Sequence, residues 1–500
     1  MPQPESAPRS SIYRQALRAA TVAALALAGI ASADGAAVSP ADPLAGKWLG
    51  TCGTERERVA VGVEIRAAAD GTTQLLLTQP VMNYFAVEAP GPVVREENRV
   101  KVDALHLDLE LRDGRLEGFF PGPKSPARLQ RVDALPVDPG PPAVPAGPGP
   151  RWQTRLSGQI YASPVVEGGV AYVGTTGGAM NAVDTRDGKI LWAVAADGPI
   201  FGSVAVAGDA LYFAADDGWL RKLARADGRE IWRYDLGDAR AARVLPHPQV
   251  FAWDWQGAAP VVADGVVFVG AGDGGFHAVD AATGERRWRF ATGGRIRNGA
   301  AIDGARVLVG SADRFLYALD LDSGRELWRF DTGAEVDATP VVHDGRVLIG
   351  NRGYGLHAVD AATGSLIWKT FFWGSWVEST PVVVGGTIYL GASDLRRVSA
   401  IDPADGRVLW RSDVFGWSWG TPLVAGERIY AGAAGGTPYF LRHVAGFAVL
   451  DRASGRMLER WPIPDSPDAH QWGIAGSPAL AGDTVVVATI GGSLYGFPAR

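Results

Sequence analysis

The sequence predicts an all-β chain: an eight-bladed β-propeller closed by pairing its N- and C-terminal strands, preceded by a small β-barrel or β-sandwich. Three observations predict it. A nine-residue pattern ending in Trp recurs about every forty residues through the C-terminal part of the chain. A Pro-rich stretch separates that array from an N-terminal region of different texture. And 65 Gly among 500 residues supply the turns that many short strands require.

Composition bounds the rest. With 47% hydrophobic and 20% charged residues the chain reads as an ordinary globular protein. Its 48 Lys and Arg stand against 54 Asp and Glu, a net charge of −6 with no block of like charge, which argues against nucleic acid as a partner. Residues 1–33 read as a signal peptide: Arg9, Arg14 and Arg18 precede an apolar run from Ala19 to Ile30, followed by Ala31-Ser32-Ala33. That run is too short to span a bilayer, so cleavage after Ala33 is expected to leave a periplasmic or secreted protein with no membrane span and a net charge of −8. No Cys marks a lipid anchor at the cleavage point, and no paired Arg marks a twin-arginine route. Cys52 is the sole cysteine, so an intrachain disulfide is excluded and any metal site must use O or N ligands. It reads as a small buried residue.

The expected small domain covers 34–133. Leu105, Leu107, Leu109 and Leu111 alternate with polar residues, the period of a strand with one buried face. Val59 to Arg66, Thr73 to Thr78 and Arg115 to Phe120 read the same way, with Asp70-Gly71 and Asp113-Gly114 as turns. Gly46-Lys47-Trp48 resembles the G-x-W opening strand of lipocalin-like barrels, with Trp48 as a structural residue. Residues 134–150 hold seven prolines in seventeen positions, a stiff extended linker.

From 151 to 500 the repeat takes over. Asp184 to Trp192 recurs as Asp280 to Trp288, Asp320 to Trp328, Asp360 to Trp368 and Asp402 to Trp410. Ala224 to Trp232 lacks the leading Asp, and the copy starting at Asp451 has Glu459 where Trp belongs. Each copy follows an apolar strand, a Gly turn and a second strand, so each unit is a four-stranded sheet. The eighth unit stops before its last strand, and Arg151-Trp152 to Gly158 is an outer strand with nothing before it. Pairing the two ends closes the ring and removes the edges of an open array. Within the motif, Gly makes a tight turn, and Trp152, Trp192, Trp232, Trp288, Trp328, Trp368 and Trp410 pack between blades.

The A-x-D-x-x-[TSD]-G-x-x-x-W pattern resembles the tryptophan-docking repeat of pyrroloquinoline-quinone-type propellers. That family includes quinoprotein dehydrogenases and non-enzymatic propellers such as the outer-membrane protein assembly scaffold, so the fold does not choose the activity. Many of the dehydrogenases carry adjacent cysteines against the quinone. This chain cannot, which places it nearer the non-enzymatic members.

In such propellers function gathers on the face carrying the fourth-to-first and second-to-third strand connections. Insertions in units 3, 7 and 8 fall there, and units 3 and 7 lie opposite each other. Trp253, Trp255, Trp373, Trp376, Trp417, Trp419 and Trp472 all precede inner strands and are expected to line the mouth, as a rim for a flat ligand or for a protein partner's aromatic. Three residues before each inner strand, units 4, 5 and 6 offer Asn298, Asp337 and Glu378. The resemblance implies Asn298 and Glu378 as Ca²⁺ ligands and Asp337 as base beside pyrroloquinoline quinone. Arg352, with Arg295, Arg297, Arg314, Arg396 and Arg397, is the candidate anion-binding set. His247, His443 and His470 fall in insertions, and His470 beside Trp472 is the candidate ligand-binding histidine.

Two functions follow as expectations. The first is an exported propeller that binds a small-molecule ligand or an exported protein through an aromatic-rich mouth, without catalysis, using Trp255, Trp376, Trp419, Trp472, Arg352 and His470. The alternative is a quinone- and Ca²⁺-dependent dehydrogenase of alcohols, aldehydes or sugars.

Overall fold

The computed structural model describes residues 42–53, 57–121, 125–238, 243, 254–437, 441–464 and 470–500. The expected signal peptide, Trp253 and His247 lie outside them. The chain divides into two compact units, with the boundary between Pro142 and Ala143.

The first unit is one antiparallel sheet of nine strands: β1 (Gly46–Gly53), β2 (Arg58–Ala67), β3 (Thr73–Gln79), β4 (Tyr84–Glu88), β5 (Val94–Glu96), β6 (Arg99–Val102), β7 (Leu107–Arg112), β8 (Arg115–Phe119) and β9 (Pro126–Val132). The order is β4-β3-β2-β1-β9-β8-β7-β6-β5, so the first and last strands pair at the centre. The two edges, β4 and β5, are consecutive in the chain and joined only by residues 89–93. Five residues reach at most about 20 Å, so the sheet must curl to bring its edges together. Of the barrel and sandwich expected, the curled barrel-like form is the one found. Trp48, Val61, Val63, Leu75, Leu107, Leu109 and Leu116 fill its inner face. The alternation expected from Leu105 starts only at Leu107, because Leu105 lies in a 3₁₀ turn that His106 ends in the left-handed region. Trp48 is buried, donates its indole N–H to the Leu44 carbonyl at 2.9 Å, and lies under the Arg131 guanidinium.

The second unit carries eight sheets arranged as an eight-bladed propeller. Blades 1 to 7 are continuous in the chain, as in blade 5 with Val341–His343, Arg346–Gly350, Gly355–Asp360 and Leu366–Phe371. Blade 8 takes Ala479–Ala481, Thr484–Ala488 and Ser493–Pro498 from the C-terminal side and receives β10 (Trp152–Arg155) as its outer strand, in the register Trp152 with Gly496 and Arg155 with Ser493.

The repeat residues make the joints. Trp328 donates its indole N–H to the Ala361 carbonyl of the next blade at 3.2 Å, and its ring covers Gly364, where an added Cβ would lie 2.7 Å from Cε3. Gly364 also sits at φ +74, so this turn needs glycine twice over. The same relation joins Trp152 to Gly188, Trp192 to Gly228, Trp232 to Gly284, Trp288 to Gly324, Trp368 to Gly406 and Trp410 to Gly455. Blade 7 lacks the docking Trp, and Glu459 stands there with Arg428 at 3.4 Å. The end of the Pro-rich segment packs at this position: the Arg460 amide donates to the Pro145 carbonyl and Gly149 lies against Trp461.

Candidate functional site

Position within a blade dictates what meets at the mouth. The residues leading into the inner strands of neighbouring blades meet there although they are distant in sequence. Asn298 comes from blade 4, Asp337 from blade 5 and Glu378 from blade 6, and all three are buried.

Arg352, from the loop after the second strand of blade 5, joins two of them. Its guanidinium lies 2.8 Å from an Asp337 oxygen and 2.8 Å from a Glu378 oxygen, with Glu335 at 3.5 Å. Its carbon Cζ sits 4.5 Å from the Trp376 ring centroid, a cation–π contact. The network continues through Arg295, which reaches Asp337 at 3.3 Å and Glu335 at 3.2 Å. Arg297 pairs with Asp254 at 3.0 Å, and Arg243 pairs with Asp216 at 2.6 Å and Asp254 at 3.3 Å. Four guanidinium groups thus interleave with five carboxylates. Buried charges of this kind persist only when each finds a counter-ion.

Burial and charge set the protonation. Burial pushes the Glu378 carboxyl above its ordinary range, opposed by the Arg352 charge. It pushes Asp254 up as well, opposed by Arg297, Arg243 and Arg295. Burial works against the Arg352 charge too, but Asp337, Glu378 and Glu335 outweigh it and hold the guanidinium firmly protonated. Asn298 is held differently: its amide N–H groups donate to the Gly310 and Val336 carbonyls at 3.2 and 3.1 Å. The Asn298 Oδ1, Asp337 Oδ1 and Glu378 Oε2 atoms are buried with no hydrogen-bond partner among the described residues.

The aromatics are packed inward. Trp255, from the blade 3 insertion, stacks on Trp419 of blade 7, which stacks on Trp417 with centroids 4.8 Å apart. His443 continues the row at 4.3 Å from Trp417. Trp417 and Trp419 donate their indole N–H groups to Asp394 Oδ1 and Ser393 Oγ. Trp255, Trp373, Trp417 and Trp419 are buried, so the expected rim is largely a plug. The rings bury one another because the insertions bring them within stacking distance. Trp376 and Trp472 stay half-buried and His470 exposed. Trp472 lies on a short strand, Gln471–Gly473, that pairs with the long second strand of blade 7.

The candidate arginines divide. Arg295, Arg297 and Arg352 belong to the network, whereas Arg314 pairs with Asp331 on the surface and Arg396 pairs with Asp413. Arg397 is half-buried. Asp254, Arg243, Asp216 and Glu335 complete the network and were not among the expected residues. The signal for Asp254 was its place beside Trp255 in an insertion, whereas Asp216 carries no sequence signal.

Comparison with known proteins follows the fold. The family model described as outer membrane protein assembly factor BamB matches residues 146–252, 216–369, 316–396 and 373–500, well over half of the chain. Outer membrane protein assembly factor BamB of Burkholderia pseudomallei (strain K96243) is 34% identical over 115 residues, 23% of this chain and 26% of that protein. The matched stretch thus spans about a quarter of that relative. Among solved structures, BamB from Moraxella catarrhalis aligns with 18% identity and a TM-score of 0.53, over 70% of this chain and 96% of that one. Quinohemoprotein alcohol dehydrogenase from Comamonas testosteroni aligns with 17% identity and a TM-score of 0.53, over 70% and 77%. These two likenesses show a shared fold and no more. The match across the propeller is decisive for the family, and the chain belongs to the family described as outer membrane protein assembly factor BamB.

Proposed function

We propose that this protein is an exported, non-enzymatic propeller that binds a protein partner in outer-membrane protein assembly. The arrangement that carries the reading is Arg352 bridging Asp337 and Glu378. The two carboxylates that the dehydrogenase alternative needs, one as base and one as metal ligand, share one guanidinium, and a divalent cation beside them would face that fixed positive charge. Arg352 already supplies these carboxylates with a counter-charge, which favours the binding reading, and the quinone titration below separates it from the dehydrogenase alternative. What remains at the mouth is a surface of half-buried Trp376 and Trp472 and exposed His470, suited to a protein partner. Export rests on the Arg9 to Ala33 segment of the sequence.

Two measurements test this. Photo-crosslinking groups at positions 376 and 470 of the exported full chain are expected to trap one discrete protein partner, and a group at exposed Asp209 is expected to trap none. Titration with pyrroloquinoline quinone, with and without Ca²⁺ and followed by Trp fluorescence, is expected to show no saturable change. Saturable Ca²⁺-dependent quenching with dye-coupled alcohol oxidation would overturn the reading in favour of the dehydrogenase.

A further inference from the structure

Seven of the eight joints between blades are closed by a docked indole, and the joint between blades 7 and 8 is not. Trp152, Trp192, Trp232, Trp288, Trp328, Trp368 and Trp410 each lie on a glycine of the following blade. Among the described residues, six of these rings also donate an indole N–H to a carbonyl there, at 2.8 to 3.3 Å. At the remaining joint Glu459 holds the docking position. Its glycine is Gly147, at φ +69 with an added Cβ 2.5 Å from Glu459 Oε2, the relation that Gly364 has with Trp328. That glycine comes from the Pro-rich segment for a topological reason. Blade 8 takes its third strand, Ser493–Pro498, and its outer strand, Trp152–Arg155, from distant parts of the chain, so no turn joins them. Residues 143–149 lead into the outer strand and stand where that turn would be.

The closure at this joint is polar. Glu459 Oε1 lies 3.4 Å from Arg428 within blade 7 and 3.4 Å from Arg500, which follows the third strand of blade 8. Tyr430 of blade 7 donates its hydroxyl to the Arg500 carbonyl and accepts from the Arg500 amide, each at 2.9 Å. The strap over 143–149 is lightly held. Ala143, Pro145, Ala146 and Gly149 are exposed, Pro145 and Pro148 have no amide hydrogen to donate, and the Arg460 amide of blade 7 reaches the Pro145 carbonyl at 3.1 Å. A cavity of about 20 Å³, wide enough for water to enter, is bordered by Ala146, Tyr430, Phe447 and Phe497. Elsewhere the same joint is firm. Gln471–Gly473, which lead into blade 8, pair with the second strand of blade 7, and Phe447 stacks on Phe497 across the joint with centroids 4.7 Å apart. The joint is thus fixed at the mouth and in its apolar interior, and held by charge at its outer end.

We propose that the outer end of the joint between blades 7 and 8 is an ionic latch at which this ring opens locally, closed by Glu459, Arg428, Arg500 and the 143–149 strap in place of a docked indole. Partly exposed ion pairs are weak and screened by salt, whereas an indole docked on a glycine is held by burial, which salt does not weaken. Opening lifts the strap and parts Arg500 from Glu459, and it leaves the strand pairing inside both blades intact. This inference goes beyond the binding reading above and does not depend on it.

The test is amide hydrogen exchange of the full chain, read by mass spectrometry over residues 457–462 and, as the reference, over 366–371, whose Trp368 is docked on Gly406. Salt is raised from about 0.05 M to about 1 M NaCl, where the screening length of about 3 Å is shorter than either ion pair. Exchange at 457–462 is expected to quicken about threefold while 366–371 stays unchanged. Glu459→Gln keeps the shape and removes the charge, and is expected to show the fast rate at both salt concentrations. Gly147→Val drives a side chain into Glu459 and is expected to quicken exchange at 457–462 at low salt. No salt response at 457–462, an equal response at 366–371, or a parent-like rate at low salt in Glu459→Gln would each overturn the latch. A parent-like rate in Gly147→Val would overturn the strap's part in it. Crosslinking at 376 and 470 reports on the mouth and is independent of these rates, so the two readings fail separately.

Discussion

The indole of Trp255, from the third blade, stacks on that of Trp419, from the seventh, with ring centroids 4.8 Å apart and planes inclined by 22°. Blades 3 and 7 are opposite in a ring of eight, so this contact crosses the axis and ties together segments 164 residues apart in sequence. Most other contacts between blades join neighbours. The stack is therefore a brace across the mouth as well as a plug in it.

Removing either ring is expected to cost about 3–5 kcal/mol, the usual range for truncating a buried Trp to Ala. Because the two rings touch, the double variant Trp255→Ala, Trp419→Ala is expected to cost less than the two single losses together, by about 0.5–1.5 kcal/mol. Urea denaturation of the four proteins measures this. A coupling of zero would show that the rings do not brace each other.

Gly364→Ala and Gly345→Ala separate two demands on glycine. Both positions have φ near +70, but a Cβ at 345 meets nothing within 4 Å whereas one at 364 meets the Trp328 ring. Gly345→Ala is expected to cost about 1 kcal/mol for the left-handed backbone alone. Gly364→Ala should cost at least about 1 kcal/mol more, because the docked ring must shift. Melting temperatures of the two variants decide the point.

Arg352→Met leaves the Asp337 and Glu378 carboxylates without their shared cation. The expected loss at pH 7 is about 3–5 kcal/mol, the penalty for stranding buried charge. The pH dependence follows from Glu378, whose folded carboxyl is already raised by burial. A raised carboxyl contributes stability that is complete below its unfolded value of 4.5 and is lost as pH rises through the folded value. Removing the cation raises the folded value further, so the difference between variant and parent should narrow as pH falls toward 4. Denaturation midpoints at pH 4 and pH 7 test this, and an equal loss at both would contradict it.

Three histidines are buried in the neutral form. Burial lowers His443 to about 3 and His277 and His357 to about 4, from an ordinary 6.5. Each folded value is depressed, so the unfolded chain binds more protons below pH 6.5 and stability falls on acidification. Between pH 6 and pH 4.5 each histidine adds a slope approaching about 1.4 kcal/mol per pH unit. His357→Leu is expected to reduce the slope by that amount, read from stability measured across this range. An unchanged slope would mean that His357 is accessible to protons in the folded state.

Much of the fold was legible in the sequence. The forty-residue period gave the blade count, the displaced Trp152 strand gave the closure, and the motif Gly and Trp gave the joints, since each is a local pattern repeated under one geometric constraint. The N-terminal region was legible as β but not as one curled sheet, because the pairing of β1 with β9 joins the ends of the domain and leaves no mark in local alternation. At the mouth, the excess length of unit 3 marked the segment that carries Trp255. The sequence did not show that Trp255, Trp417 and Trp419 bury one another, because an indole's exposure depends on what lies across from it.

What the sequence determined alone is thus the part of the structure that repeats: strand, turn, docking Trp, ring. What only the tertiary structure decided is which charges meet. Asp337, Arg352 and Glu378 are spread over forty-odd residues, and the pattern of residue types fits a metal site as readily as an ion-pair network. Where neighbouring blades converge, Asp337 and Glu378 share a guanidinium of the chain itself, a partner that no local pattern announces because it comes from a different loop.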